Sequence, residues 1–153
     1  SRLANNLNST FSETCFKAIE IDLEPLTGEE TWLTPFMRTL REKLSHKLLL
    51  RIAIPLLSEN PILGPSWKKE NAKVLLSQVD GIDLMLYDSG VKTIQEYISL
   101  VKYNIQSAKN LLETDQKKSV LLGIPGYHDR TRLHNESIEN ISNFLATLKT
   151  LNT

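Results

Sequence analysis

Four short apolar runs alternate with segments of helical periodicity, and this alternation limits the fold more than any other feature of the chain. The runs are KAIEIDLEP (17–25), KLLLRIAIPLL (47–57), VDGIDLMLYDSG (79–90) and SVLLGIPGY (119–127). After the first, Trp32, Leu33, Phe36, Met37, Leu40 and Leu44 recur at helical spacing, which predicts a buried stripe. Thr27 followed by Glu30 has capping-box spacing and predicts the start of that helix. Further helices are predicted over about 66–78, over 93–113 with Ile94, Tyr97, Ile98, Val101, Ile105 and Leu112 on one side, and over about 135–151 with Ile138, Ile141, Leu145 and Leu148 inward. Residues 2–12 fit the remnant of another helix. The order (α)-β-α-β-α-β-α-β-α with nearly continuous apolar strands predicts a parallel α/β sheet covered by helices.

Two architectures satisfy that order, an open doubly wound sheet and a (β/α)8 barrel. No Gly-rich phosphate loop follows a strand; in GIPGYHD the glycines are three apart with a proline between, which is not the dinucleotide fingerprint. The carboxyl ends of the runs carry Glu24, then Ser58 and Glu59, then Tyr87 and Asp88, then Tyr127, His128 and Asp129, whereas the opposite ends are plain. Function gathers at the carboxyl ends of barrel strands, so this distribution favours the barrel. A whole barrel needs roughly 250 residues, and the 153 here supply four strands. Residues 1–153 are therefore expected to form a single partial domain, about half a barrel, completed by the missing remainder of the barrel or by a second copy.

Composition narrows the function classes. Lys plus Arg and Asp plus Glu are 18 each, so net charge gives no reason to expect a nucleic acid or an anionic membrane as partner. No apolar run approaches the roughly 18 residues that span a bilayer, and the first residues lack the pattern of a signal peptide. Cys15 is the only cysteine; it is expected to be a small buried apolar residue, without a disulfide. His128 and His134, with Asp129 between them, match no metal-ligand spacing, and no metal or cofactor is expected.

Within the first run Glu20, Asp22 and Glu24 alternate with Ile19, Ile21 and Leu23. A strand has a side-chain period of two, so the acids share one face, about 7 Å apart, and the aliphatics the other. In a barrel the acids point inward, where mutual repulsion raises at least one pKa. A carboxyl protonated near neutrality suits a general acid for a glycosidic oxygen. The same pattern is met by inward acids bonded to cations or hydroxyls of neighbouring strands. In the third run Asp83, Met85 and Tyr87 face inward and Asp88 sits at the mouth. Trp67, in the loop after the second run, either stacks on a sugar or packs that loop.

Together KAIEIDLE (17–24), MLYD (85–88) and GIPGY (123–127) resemble glycoside hydrolase family 18, the chitinase-like barrels, whose strands four, six and seven read D-x-x-D-x-D-x-E, M-x-Y-D and G-x-P-x-Y. The resemblance covers about residues 15–130 and makes the four runs strands four to seven. It implies substrate-assisted retaining hydrolysis of an N-acetylhexosamine-containing glycan. Glu24 takes the place of the general acid, and Asp22 that of the acid orienting the 2-acetamido group. The resemblance implies that Tyr87 bonds that group, that Glu20 and Asp88 support substrate binding, and that Tyr127 lines the cleft. It also implies a secreted or cell-surface location. Lys17 and Glu20 stand where the family has Asp, and Pro25 where it has an aromatic, marking a divergent member. The alternatives are a non-catalytic, lectin-like barrel and a retaining glycosidase with a carboxylate nucleophile, for which Asp129 is the candidate.

Overall fold

Alternation sorts the side chains of each strand onto two faces. The computed structural model describes residues 2–11, 15–28, 30–59, 64–113, 115–128 and 131–151. In chain order the elements are α1 (Arg2–Phe11), β1 (Ala18–Ile21), α2 (Leu33–Lys43), β2 (Leu49–Pro55), α3 (Lys69–Leu76), β3 (Gly81–Met85), α4 (Ile94–Leu112), β4 (Ser119–Gly123) and α5 (Ile141–Lys149). Ile19, Leu50, Ile52, Ile54, Ile82 and Leu84 are buried in one core with Ala4, Met37, Leu75, Tyr97 and Phe144 from the five helices. Fully burying such a side chain stabilises by about 1.5–3 kcal/mol.

The four strands are parallel and paired in the order β1-β2-β3-β4. That order never reverses, whereas a doubly wound sheet reverses at a switch point. With right-handed crossovers, sequential order puts every helix on the same face, in keeping with the single shared core. The other face carries Glu20, Arg51, Ala53, Asp83, Met85 and Leu121, and Leu121 is 55% exposed. Among the described residues β1 and β4 each have a single strand partner, so the sheet has two open edges.

Several boundaries differ from the sequence expectation. Helix α2 begins at Leu33, with Trp32 as a cap that makes no side-chain bond. Thr27 and Glu30 still meet: Thr27 N–H and Oγ1 donate to Glu30 Oε1 at 2.5 and 2.9 Å, and Gly28 N–H donates to Oε2 at 2.8 Å. Those bonds close a loop before the helix instead of starting it. The capping box belongs to α4, where Thr93 and Glu96 bond reciprocally. The buried face of α4 carries Tyr97, Leu100, Val101, Asn104, Ala108 and Leu111, and Ile94 is exposed. The face is rotated because Asn104 turns inward: its Oδ1 accepts from Leu57 N–H at 2.7 Å and its Nδ2 donates to Leu57 O at 3.0 Å. Helix α5 is nine residues long and buries Phe144 and Thr147. Ile141 and Leu145 lie outward, since α5 packs chiefly on α4 through its other face.

The amino ends of the strands are tied by structure alone. Arg41 of α2 donates to Asp80 Oδ2 at 2.7 Å and to Leu48 O at 2.8 Å, and Leu50 N–H donates to the same Asp80 oxygen at 2.8 Å. Helix α1 docks through Asn8, which donates to Lys43 O and accepts from Ser45 N–H, both at 2.8 Å. No helix among the described residues is long and apolar enough to cross a membrane.

Candidate functional site

Strand β1 ends at Ile21, but its alternation continues to Glu24: Ile21 and Leu23 pack on the core while Glu20, Asp22 and Glu24 are exposed. Two neighbouring hollows open beside these acids. The lower, about 280 Å³, is lined by Glu20, Asp22, Asp83, Met85 and Tyr87 among others. The upper, about 190 Å³, is lined by Glu24, Pro25, Met85, Tyr87, Asp88 and Leu133 among others. Met85 and Tyr87 border both, so the β3 end joins Asp22 below to Glu24 above.

Tyr87 is the common neighbour of the acids. Burial raises its pKa first, and the negative charges of Glu24, Asp22, Asp88 and Glu20 raise it further. Its phenol therefore stays protonated and offers a hydrogen-bond donor to whatever enters between Asp22 and Glu24. Its ring meets Tyr127 edge to face at 6.0 Å between centroids. The Tyr127 hydroxyl donates to Asp88 Oδ1 at 2.6 Å. Burial, then that bond, pushes the Tyr127 phenol far above its ordinary value. Asp88 has a left-handed backbone, with φ of 53°, a conformation that Asp tolerates better than most residues.

The carboxyl held near neutrality is Glu20. It is pushed up to about 7 by its hydrogen bond with Asp83, by burial and by the Asp83 charge, with Asp22 the last contributor. Burial pushes Asp83 up too, but the bonds from Arg51 and Glu20 outweigh it and hold Asp83 below the ordinary range. The two opposite shifts favour the proton on Glu20 and leave Asp83 as the anion facing Arg51. The register makes this possible: Glu20 lies across from Arg51, and Arg51 lies across from Gly81. A Cβ at Gly81 would stand 2.3 Å from Arg51 Nη1, so glycine leaves room for the guanidinium. The raised pKa expected of the triplet thus arises between strands more than along β1. Arg51 was the missed partner, although it is the single charge in the run LLLRIAIPLL.

The remaining sequence-predicted residues are placed elsewhere. Trp67 is 4% exposed and belongs to the core, with its backbone bonded to Leu56 and Ser58. It packs the loop and has no open face on which a sugar could stack, which corrects its reading as a binding residue. Glu59 accepts from Tyr103 Oη of α4 at 2.5 Å, and burial with that bond pushes the Tyr103 phenol up to about 12. Cys15 is exposed, not buried, because it precedes β1 outside the core. His128 is exposed and lies 3.3 Å from Glu136, whereas His134 is buried beside Glu139. Asp129, the candidate carboxylate nucleophile, lies outside the described residues.

Sequence reasoning also missed Ser89 and Glu139, both buried. A glutamate in the helical pattern after 135 reads as a solvated face, and no local signal marks it as interior. No family model, curated protein or solved structure matches the chain.

Proposed function

We propose that the chain is about half of a (β/α)8 barrel resembling glycoside hydrolase family 18, contributing strands four to seven, and that it acts on an N-acetylhexosamine-containing glycan. The observation that carries this reading is the position of Tyr87, whose hydroxyl stands in the field of both Glu24 and Asp22 between two adjoining hollows. The uninterrupted strand order, the helices on one face and the two open edges support the half-barrel, because all-parallel sheets are normally covered on both faces. The remainder of the barrel, or a second copy, would cover the face that bears Leu121.

In this reading the Glu24 carboxyl gives its proton to the leaving glycosidic oxygen as the C1–O bond breaks. The acetamido oxygen of the substrate attacks C1 and forms the new bond, so no protein carboxylate serves as nucleophile. Asp22 orients the acetamido N–H and offsets the positive charge that develops there. Tyr87 donates to the same group. The Glu24 carboxylate then takes a proton from the water that opens the intermediate, which restores the acid. Asp88 and Tyr127, locked to each other at 2.6 Å, form one wall of the sugar site.

The test is Glu24→Gln in the full-length protein with an aryl N-acetylglucosaminide as substrate. Turnover should fall by roughly 10²–10⁴-fold while chitooligosaccharide binding persists. A wild-type protein that binds such glycans and never cleaves them would establish the lectin reading instead. One that neither binds nor cleaves them refutes the proposal.

A further inference from the structure

We propose that His134, Glu139 and Asp88 form a site for a divalent cation of the zinc class, at the junction between the end of β3 and the segment that leads into α5. One ligand atom from each residue lies within 4.8 Å of the other two. His134 Nδ1 is 3.1 Å from Glu139 Oε2 and 3.7 Å from Asp88 Oδ1. These separations bracket the edge of a tetrahedron with metal–ligand bonds of about 2.1 Å, which is roughly 3.4 Å.

The side chains of His134 and Glu139 have no solvent exposure, and that of Asp88 is 43% exposed toward the upper hollow. Two carboxylates therefore converge on one imidazole nitrogen, which can present a single proton. Among the described residues neither carboxylate pairs with a lysine or an arginine. Glu139 is fully buried, and a buried carboxylate is costly without a cation or a full set of donors. Among the described residues His134 Nε2 is buried without a partner, so the polar contacts of the ring lie on the Nδ1 side, toward the two acids.

The surroundings are those of a supported site. Glu139 Oε1 is occupied by Ser89, whose N–H donates at 3.0 Å and whose hydroxyl also donates, which leaves Oε2 facing the histidine. Tyr127 packs on the imidazole at 4.3 Å between centroids and donates to Asp88 Oδ1. Such outer contacts orient ligands in metal sites. Three protein ligands leave one position of a tetrahedral ion unfilled, and Asp88 borders the hollow from which a water or a substrate hydroxyl would fill it.

The experiment titrates chelator-treated protein with Zn²⁺ by calorimetry and with Co²⁺ by visible absorption, readouts independent of any glycosidase activity. One equivalent should bind with a micromolar or lower Kd, and Co²⁺ should give the strong bands of a tetrahedral ion. Asp88→Asn should weaken binding by about tenfold or more with an unchanged circular dichroism spectrum. His128→Ala and Cys15→Ser, which remove exposed competitors, should leave binding intact. Glu139→Gln should abolish binding, and if that variant fails to fold, Asp88→Asn decides. Absence of a stoichiometric site, equal affinity in Asp88→Asn, or loss in either control variant overturns the proposal.

Discussion

Asp83→Asn is expected to release Glu20 from its position near neutrality. The largest influence raising Glu20 to about 7 is the hydrogen bond with Asp83, followed by burial and the Asp83 charge, while Arg51 pulls the other way. The substitution removes the charge and frees the Arg51 cation to act on Glu20. Burial remains, so the midpoint should drop by roughly one to two pH units instead of returning fully to 4.5. Glutamate side-chain carboxyl chemical shifts followed through a pH titration give the midpoint directly. The same pair predicts how stability depends on pH. Glu20 is raised in the folded chain, so its contribution is complete below 4.5 and is lost as pH climbs through about 7. Asp83 is lowered, so its contribution is present above 3.8 and is lost as acid protonates it in the folded chain. Glu20 is exposed, and solvent screening reduces its share to about 1 kcal/mol. Urea unfolding of the wild type should therefore weaken by about 1 kcal/mol between pH 5 and pH 8, and Asp83→Asn should flatten that decline. A wild-type Glu20 midpoint at 4.5, or a midpoint unmoved in Asp83→Asn, would refute the assignment of the proton.

Asn104→Ala orphans both the N–H and the carbonyl of Leu57, and should lower unfolding free energy by about 2–4 kcal/mol, seen as a lower urea midpoint at constant slope. Gly64→Ala places a Cβ 2.2 Å from the Asp88 carbonyl oxygen. It should cost about 1–3 kcal/mol and shift the Tyr127 ring resonances, because the moving backbone carries the carboxylate that Tyr127 bonds. Thr93→Ala removes the side-chain half of the α4 capping box, and a thermal melt should register a loss of about 1 kcal/mol.

The sheet was legible because strand periodicity is local. Ile19, Leu50, Ile52, Ile54, Ile82 and Leu84 all face the helices, as alternation alone requires. Alternation also gathered Glu20, Asp22, Asp83 and Met85 along one wall, as the lower hollow confirms. Helix ends were less legible. Thr27–Glu30 and Thr93–Glu96 have the same spacing, yet only the second pair starts a helix at once. Pairing motifs describe which bonds can form, and the turn that surrounds them decides what the bonds hold.

Sequence by itself determined the element order, the faces taken by the residues of the first and third strands and the gathering of polar groups at the strand ends, because each depends on neighbours a few positions apart. Tertiary structure alone decided which acid keeps its proton, since Glu20 answers to Asp83 and Arg51 on two other strands through the register of the sheet. It alone moved Trp67 from a possible platform into the core, and alone brought His134 and Glu139 to Asp88. Those partners are far apart along the chain, and the physical effects that join them, burial and charge at a few ångströms, exist only once the strands are side by side.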